Sequence, residues 1–414
     1  MNFHITDKNY YSIGIILYFL FSLSLLFGFF LDEDASGTGT SNDFKNTWDY
    51  IVLLKDNFLI DSSEWTRLLP LHYIFLSLLY QIFENEFLVR LFFCFSSIFI
   101  PLLFYKNLKI KFKEICKGKL LIISSILLIL PYFRSSAIWP NPHVTALIFL
   151  FLSIYYFQKW EMNLSKKINL ELILHIFFLA LTVYTRRYYV FFFLYYYFFY
   201  FKNLNIKELI TISILIFFLT IPGFLLIFYF PHYIEDTGYN LKFYNSIIIT
   251  SSIFLFYLIP FLSVENFKFR DNKSKLILFL SIIFSIILCL FFDYDPKLGG
   301  GYLMKLSNML LGGNLFFFIT ALVGFYFLTK ISLENLTKLF LIILIFLIFS
   351  NNYMFQKYVE PLWLIILFLV FELKLIIKFI EHKFRIFYAV FYFLIYSITS
   401  IINSIYLISI NYFW

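Results

Sequence analysis

Tyr11–Leu31 reads YSIGIILYFLFSLSLLFGFFL, and the next three residues are Asp32, Glu33 and Asp34. A helix needs about 20 apolar residues to cross the hydrocarbon core of a bilayer, and this uncharged run supplies them. It is too long for the core of a signal peptide and has no small-residue cleavage site, so it is expected to be a retained first span. The rest of the chain repeats the pattern. Of 414 residues, 61% are hydrophobic and only 14% charged, with mean hydropathy +0.83; soluble domains carry about 25% charged residues. The expected fold is therefore all-α, a polytopic transmembrane helical bundle forming a single integral membrane domain over residues 1–414. A chain with 61 Phe and 32 Tyr is excluded as a disordered protein, a small secreted scaffold or a nucleic-acid binder. Cys94, Cys116 and Cys289 have no spacing that implies a disulfide or a metal.

Cutting the chain at its charge clusters gives thirteen expected spans, near residues 11–31, 86–105, 119–133, 142–158, 170–185, 188–201, 208–230, 247–264, 276–292, 315–329, 337–350, 361–379 and 386–408. With the N-terminus inside, about two-thirds of the 33 Lys and Arg fall on the cytoplasmic side, as the positive-inside rule requires. The pI near 9.0 reflects that bias. Pro70–Phe83 is too short to span, and making it a span would turn the lysines of 106–119 outward. Leu68–Phe83 is therefore expected to lie on the outer surface or in the interface. The first outer loop then runs over residues 32–85, the largest segment outside the membrane.

That loop opens on its acids. Three carboxylates at a helix C-terminus oppose the macrodipole, so something must offset their cost. The following Ala35–Asp43 stretch is rich in Ser, Gly and Thr. The arginines are distributed unlike the lysines: there are only seven, and Arg67, Arg90, Arg134, Arg186 and Arg187 fall outside or at outer span ends. The planar fork of Arg suits bidentate recognition of phosphate; pairing with the outer acids is the structural alternative. Two more outer segments carry charge near glycine or proline: Asp293–Tyr302 with Lys305 close behind, and Tyr353–Pro361 with Lys357 and Glu360. His72 and His143 are of metal-ligand type but lack a paired spacing.

In their order, these features resemble the GT-C superfamily of polyprenyl-phosphate-sugar-dependent glycosyltransferases, which includes protein O-mannosyltransferases and lipid A aminoarabinose transferases. An acidic pair just after the first span is matched by Asp32-Glu33 or Glu33-Asp34. A His-Pro-Pro-Leu-Tyr type motif is approached by Leu69-Pro70-Leu71-His72-Tyr73, followed by Asn85-Glu86-Phe87 and Arg90. A late Arg-Tyr with a nearby Pro is similar to Lys357-Tyr358 and Pro361. Leu69 stands for the first Pro and Lys357 for the Arg, which leaves the donor's identity open.

The resemblance implies transfer of a sugar from a polyprenyl-phosphate donor to a hydroxyl of a glycolipid, glycan or protein acceptor, with inversion at the anomeric carbon. It places the enzyme in a bacterial inner membrane with its active site facing the periplasm. One of Asp34, Glu33 and Asp32, ranked in that order, is the expected base. Arg67, His72, Arg90, Arg134, Arg186, Arg187, Lys305, Lys357 and Tyr358 are the expected contacts to donor phosphate and lipid. No metal ligand or cofactor is specified, and a divalent cation is left open. The alternative is a multi-pass lipid or polysaccharide transporter, for which Pro222-Gly223 and Pro260 supply broken helices.

Overall fold

Asparagine sets the ends of many helices. Its short side chain accepts a bond from a first-turn N–H that the helix itself leaves open. Asn85 accepts from Leu88 (3.2 Å), Asn169 from Leu172 (3.1 Å), Asn205 from Glu208 (3.0 Å) and Asn335 from Thr337 (2.8 Å). Each stands where an apolar run begins. The computed structural model describes residues 6–57, 60–66, 68–162, 167–233, 242–263, 265, 272–296, 299–350, 354–371, 374–382 and 384–410. It is 80% helical, and among the described residues the only β-type pairing is the isolated bridge Gly299–Met354.

The chain forms two compact units, residues 1–235 with 386–414, and residues 236–385. The first contains α1 (Asp7–Phe30), α2 (Gly39–Asn46), α3 (Trp48–Leu53), α4 (Leu71–Phe83), α5 (Glu86–Ser97), α6 (Ile100–Lys111), α7 (Lys117–Ser125), α8 (Pro131–Ile138), α9 (Pro142–Glu161), α10 (Leu170–Thr185), α11 (Val190–Asn203) and α12 (Ile206–Tyr229). The second contains α13 (Phe243–Leu258), α14 (Asn272–Leu290), α15 (Tyr302–Leu311), α16 (Leu315–Ser332), α17 (Leu336–Ile348), α18 (Leu362–Ile365) and α19 (Lys374–Glu381). Helix α20 (Arg385–Ile410) brings the chain back to the first unit, where Phe387 stacks on Tyr10 of α1.

Among the described residues six helices are long and apolar enough to cross a membrane: Asp7–Phe30, Glu86–Lys111, Ile206–Tyr229, Phe243–Phe261, Leu315–Ser332 and Arg385–Ile402. A seventh is obtained if Lys117–Ile129 and Pro131–Ile138, bent by 64°, count as one. The bend falls at Pro131, which has no N–H to continue the ladder. The run expected over 86–105 continues to Lys111, and the break near Tyr184–Tyr188 is real, with a 3₁₀ turn at Arg187–Tyr189 between α10 and α11. Helix α4 starts at Leu71, buries His72, Tyr73, Leu76 and Leu79, and exposes Phe75, Leu78 and Ile82.

Lipid tails are as apolar as Leu, so helices in a bilayer gain by close packing of small residues. In the first unit, α1 crosses α7 where Gly118 lies directly against the Tyr10 backbone; a Cβ there would collide with it. In the second unit, Gly324 of α16 takes the same role against the Ser251 carbonyl of α13. One turn away, the Ser252 and Thr320 hydroxyls meet at 2.8 Å.

Candidate functional site

The three acids that close α1 have three different partners. Asp32 adopts a left-handed conformation (φ 51°), unusual for a residue with a side chain. Its Oδ1 accepts from Arg90 Nη2 at 2.6 Å, while its side chain stays 65% exposed. Arg90, on α5, is held from behind: its guanidinium stacks on Trp139 at 3.5 Å and its Nε donates to the Ile138 carbonyl. Among the described residues no hydrogen-bond donor meets Asp32 Oδ2.

Glu33 points the other way, into the protein. Arg134 of α8 grips it with both prongs, Nε to Oε1 at 2.7 Å and Nη2 to Oε2 at 2.6 Å. Both side chains are buried. The same guanidinium donates to the Ser24 hydroxyl and carbonyl and to the Leu128 carbonyl. Its charge thus sits on the last turns of α1, where the helix dipole favours a cation. Gly28 makes the space, since a Cβ there would come within 2.7 Å of Arg134 Nη2. The Pro131 bend is what turns α8, and with it Arg134, toward α1.

Asp34 serves as an anchor for α2. Its Oδ1 accepts from the amide (2.9 Å) and hydroxyl (2.6 Å) of Ser36, and its Oδ2 from the amides of Thr40 (3.0 Å) and Ser41 (2.8 Å). A carboxylate on first-turn amides of a helix is a strong cap. Asp34, ranked first as the expected base, is 2% exposed. In the Ala35–Asp43 stretch, residues 35–38 form a turn and Gly39 begins α2.

A second polar cluster gathers around the end of α10. Arg186 donates to Asn141 Oδ1 (3.3 Å) and to His143 Nε2. Because Arg is always a donor, His143 carries its proton on Nδ1 and gives it to the Tyr188 hydroxyl at 2.9 Å. His72 lies close by, fully buried. Its Nε2 donates to the Pro140 carbonyl (3.3 Å), so its Nδ1 accepts from the Thr145 hydroxyl (2.8 Å). Burial pushes its pKa down to about 3, and Arg186 adds to the effect. His72 is therefore neutral, with both nitrogens engaged. Arg187 donates to the Tyr233 carbonyl at 2.6 Å. Arg67 lies outside the described residues.

Lys305, Lys357 and Tyr358 belong to the second unit. There the two Gly- and Pro-flanked segments meet: the Gly300 amide donates to the Met354 carbonyl (3.0 Å) and the Tyr302 amide to Gln356 Oε1 (2.6 Å). Lys357 and Tyr358 sit in a 3₁₀ turn over Gln356–Tyr358. Glu360, buried, accepts from the Tyr257 hydroxyl at 2.6 Å. Lys305 is half-buried on α15, and desolvation pulls its pKa from 10.5 to about 8.

Sequence reasoning singled out the acids and the arginines. It held pairing of arginine with the outer acids as the alternative, which Arg90 and Arg134 fulfil, and it missed the Asn141, Thr145 and Tyr188 support around Arg186 and His72. Among the described residues no three His, Cys, Asp or Glu gather as a metal site. No protein-family model, curated protein or solved structure matches the chain.

Proposed function

We propose that the protein is a multi-pass membrane glycosyltransferase of GT-C type that transfers a sugar from a polyprenyl-phosphate donor to an acceptor hydroxyl outside a bacterial inner membrane. In this reading the shorter apolar helices Leu170–Thr185, Ser274–Leu290 and Leu336–Ile348 join the six longer ones as spans, toward the thirteen expected from the sequence. The observation that carries it is the exposed Asp32 carboxylate, fixed through one oxygen by a stacked arginine at the end of the first span. A general base needs an oxygen in reach of the acceptor and a fixed direction, and such groups typically contribute about 10²–10⁴-fold. Asp32 supplies both; Glu33 and Asp34 hold the corner on which it stands.

The acceptor oxygen attacks the anomeric carbon as its proton passes to Asp32, and the bond to the donor phosphate oxygen breaks. Phosphate leaves as an anion and needs cations rather than an acid. Arg186 and Arg187 in the first unit, and Lys305 and Lys357 in the second, are each candidates for that charge. The test is to incubate purified protein with a panel of polyprenyl-phosphate sugars and an acceptor extract and to measure released polyprenyl phosphate. Release by the parent that falls about 10²-fold in Asp32→Asn supports the reading; no release from any donor overturns it.

A transporter is the second reading, favoured by the 64° bend within Lys117–Ile138, since transporters bind substrate at broken helices. Uptake of a labelled lipid into vesicles, without sugar transfer, would favour it.

A further inference from the structure

We propose that the C-terminal end of α12 is a latch on the first loop, hinged where the Tyr184 hydroxyl enters the helix. In a regular helix the Gly223 amide would bond to the Leu219 carbonyl. Here the Tyr184 hydroxyl stands between them, donating to Leu219 O at 2.6 Å and accepting from Gly223 N at 2.9 Å. Next to this rung, Pro222 lies inside the helix and cannot donate to Phe218. A side chain inserted in the ladder beside a proline is a recognised cause of a helix kink. Tyr184 belongs to α10, so the pivot is fixed to the last turn of the helix that leads directly into Arg186 and Arg187.

Beyond the pivot, none of residues 223–230 is buried, and Phe224, Phe228 and Tyr229 are among the most exposed apolar side chains of the chain. Of the whole helix only Ile212 is buried; before the pivot the Ser213 hydroxyl is tied to Tyr197 at 2.8 Å, and beyond it the fixed contacts are at the far end. There the turn Pro231–Tyr233 meets Asp61 and Ser62 of the first loop. Ser62 Oγ lies 3.0 Å from His232 Nε2 and 2.9 Å from the Tyr233 hydroxyl, and His232 Nδ1 lies 3.4 Å from Asp61 Oδ1. The Tyr233 carbonyl takes the Arg187 bond described above.

Serine, histidine and carboxylate in this order have the form of an activated nucleophile. Ser62, however, is fully enclosed and its Oγ also lies 3.2 Å from the Thr66 carbonyl. The contacts instead make a clasp in which Ser62 and Tyr233 are enclosed and His232 with the exposed Asp61 forms the outer pair. An apolar rod held at one end by an inserted hydroxyl and at the other by a polar clasp swings when the clasp opens. Release uncovers Ser62 and frees the Tyr233 carbonyl from Arg187, next to the Arg186 cluster. The inference does not depend on the transferase reading.

Pulsed electron resonance on the full chain in nanodiscs tests it, with Cys94, Cys116 and Cys289 replaced by Ser. One label pair joins Phe228→Cys, beyond the pivot, to Ile82→Cys on α4; the control joins Phe217→Cys, before the pivot, to the same site. His232→Ala is expected to broaden or shift the first distance by on the order of 5 Å, the swing of a rod of about 12 Å through a kink above about 20°, and to leave the second unchanged. Tyr184→Phe, which removes the pivot without touching the clasp, should alter the first distance as well, and it serves should His232→Ala fail to fold. If both distances move together, the helix shifts as one body and the hinge is wrong. If neither moves in either variant, there is no latch.

Discussion

Asp32, Glu33 and Asp34 differ little in chemistry and entirely in surroundings, so amide substitutions should separate them. Asp32→Asn leaves the buried Arg90 guanidinium facing an exposed, neutral partner and should cost about 1–3 kcal/mol, between the worth of an exposed and of a buried pair, while turnover falls. Glu33→Gln leaves Arg134 buried without its counter-charge, and should cost about 3–5 kcal/mol. Asp34→Asn keeps a capping oxygen but weakens charge-assisted bonds, so a loss of about 1 kcal/mol is expected. Thermal unfolding in detergent beside a transfer assay checks all three; an inactive Asp34→Asn protein with full stability would move the base to Asp34. Lys305 gives a pH test. Its folded pKa near 8 lies below the ordinary 10.5, so the unfolded chain binds the extra proton between those values, and stability rises with pH across that window. Below about 8 the burial penalty is fully present. Unfolding followed from pH 7 to 10 should show this rise in the parent and lose it in Lys305→Met, which should also be the more stable protein at pH 7.

At the scale of elements, two glycines decide how closely helices cross. Gly118→Val should force α1 from α7, and Gly324→Val should force α16 from α13, each at about 1–3 kcal/mol for overpacking. Surface-facing Gly312→Ala, where a Cβ meets nothing within 4 Å, is a control for space, although its positive φ of 63° adds a small strain. Equal melting temperatures for parent and both Val variants would show that these crossings are looser than described. Sequence made most helices legible, because an apolar run between charges has one outcome in a bilayer. It hid what joins them. Asn caps were written in the chain at 85, 169, 205 and 335, yet Asn is common here and its role depends on which amide lies beneath it. The bend at Pro131 was equally plain in sequence, but that it turns Arg134 onto Glu33, a hundred residues away, follows only from the fold. The surroundings of Asp34 were hidden for a similar reason: Ser36, Thr40 and Ser41 look like linker residues until a helix begins among them.

For the whole molecule, charge placement carries the argument about sides. The Lys-rich loop after α6 and the acidic corner after α1 are separated in sequence by helices whose lengths allow a crossing, and lysine accumulates on the cytoplasmic face. Arginine does not follow lysine here: Arg90 and Arg134 neutralise acids at the α1 end, so their location reports local pairing rather than orientation. Removing them from the count strengthens the lysine bias that orients the chain. The expected topology has residues 32–85 and 293–314 outside and 106–118 and 265–275 inside. Single cysteines at exposed sites test it: Asn42→Cys and Asp295→Cys should react with an impermeant thiol reagent on intact cells, and Lys113→Cys only after the membrane is opened. Labelling of Lys113→Cys from outside would invert the first half of the chain. It would also place the Asp32 carboxylate on the cytoplasmic face, where a base for an outward-facing transfer has no acceptor to serve.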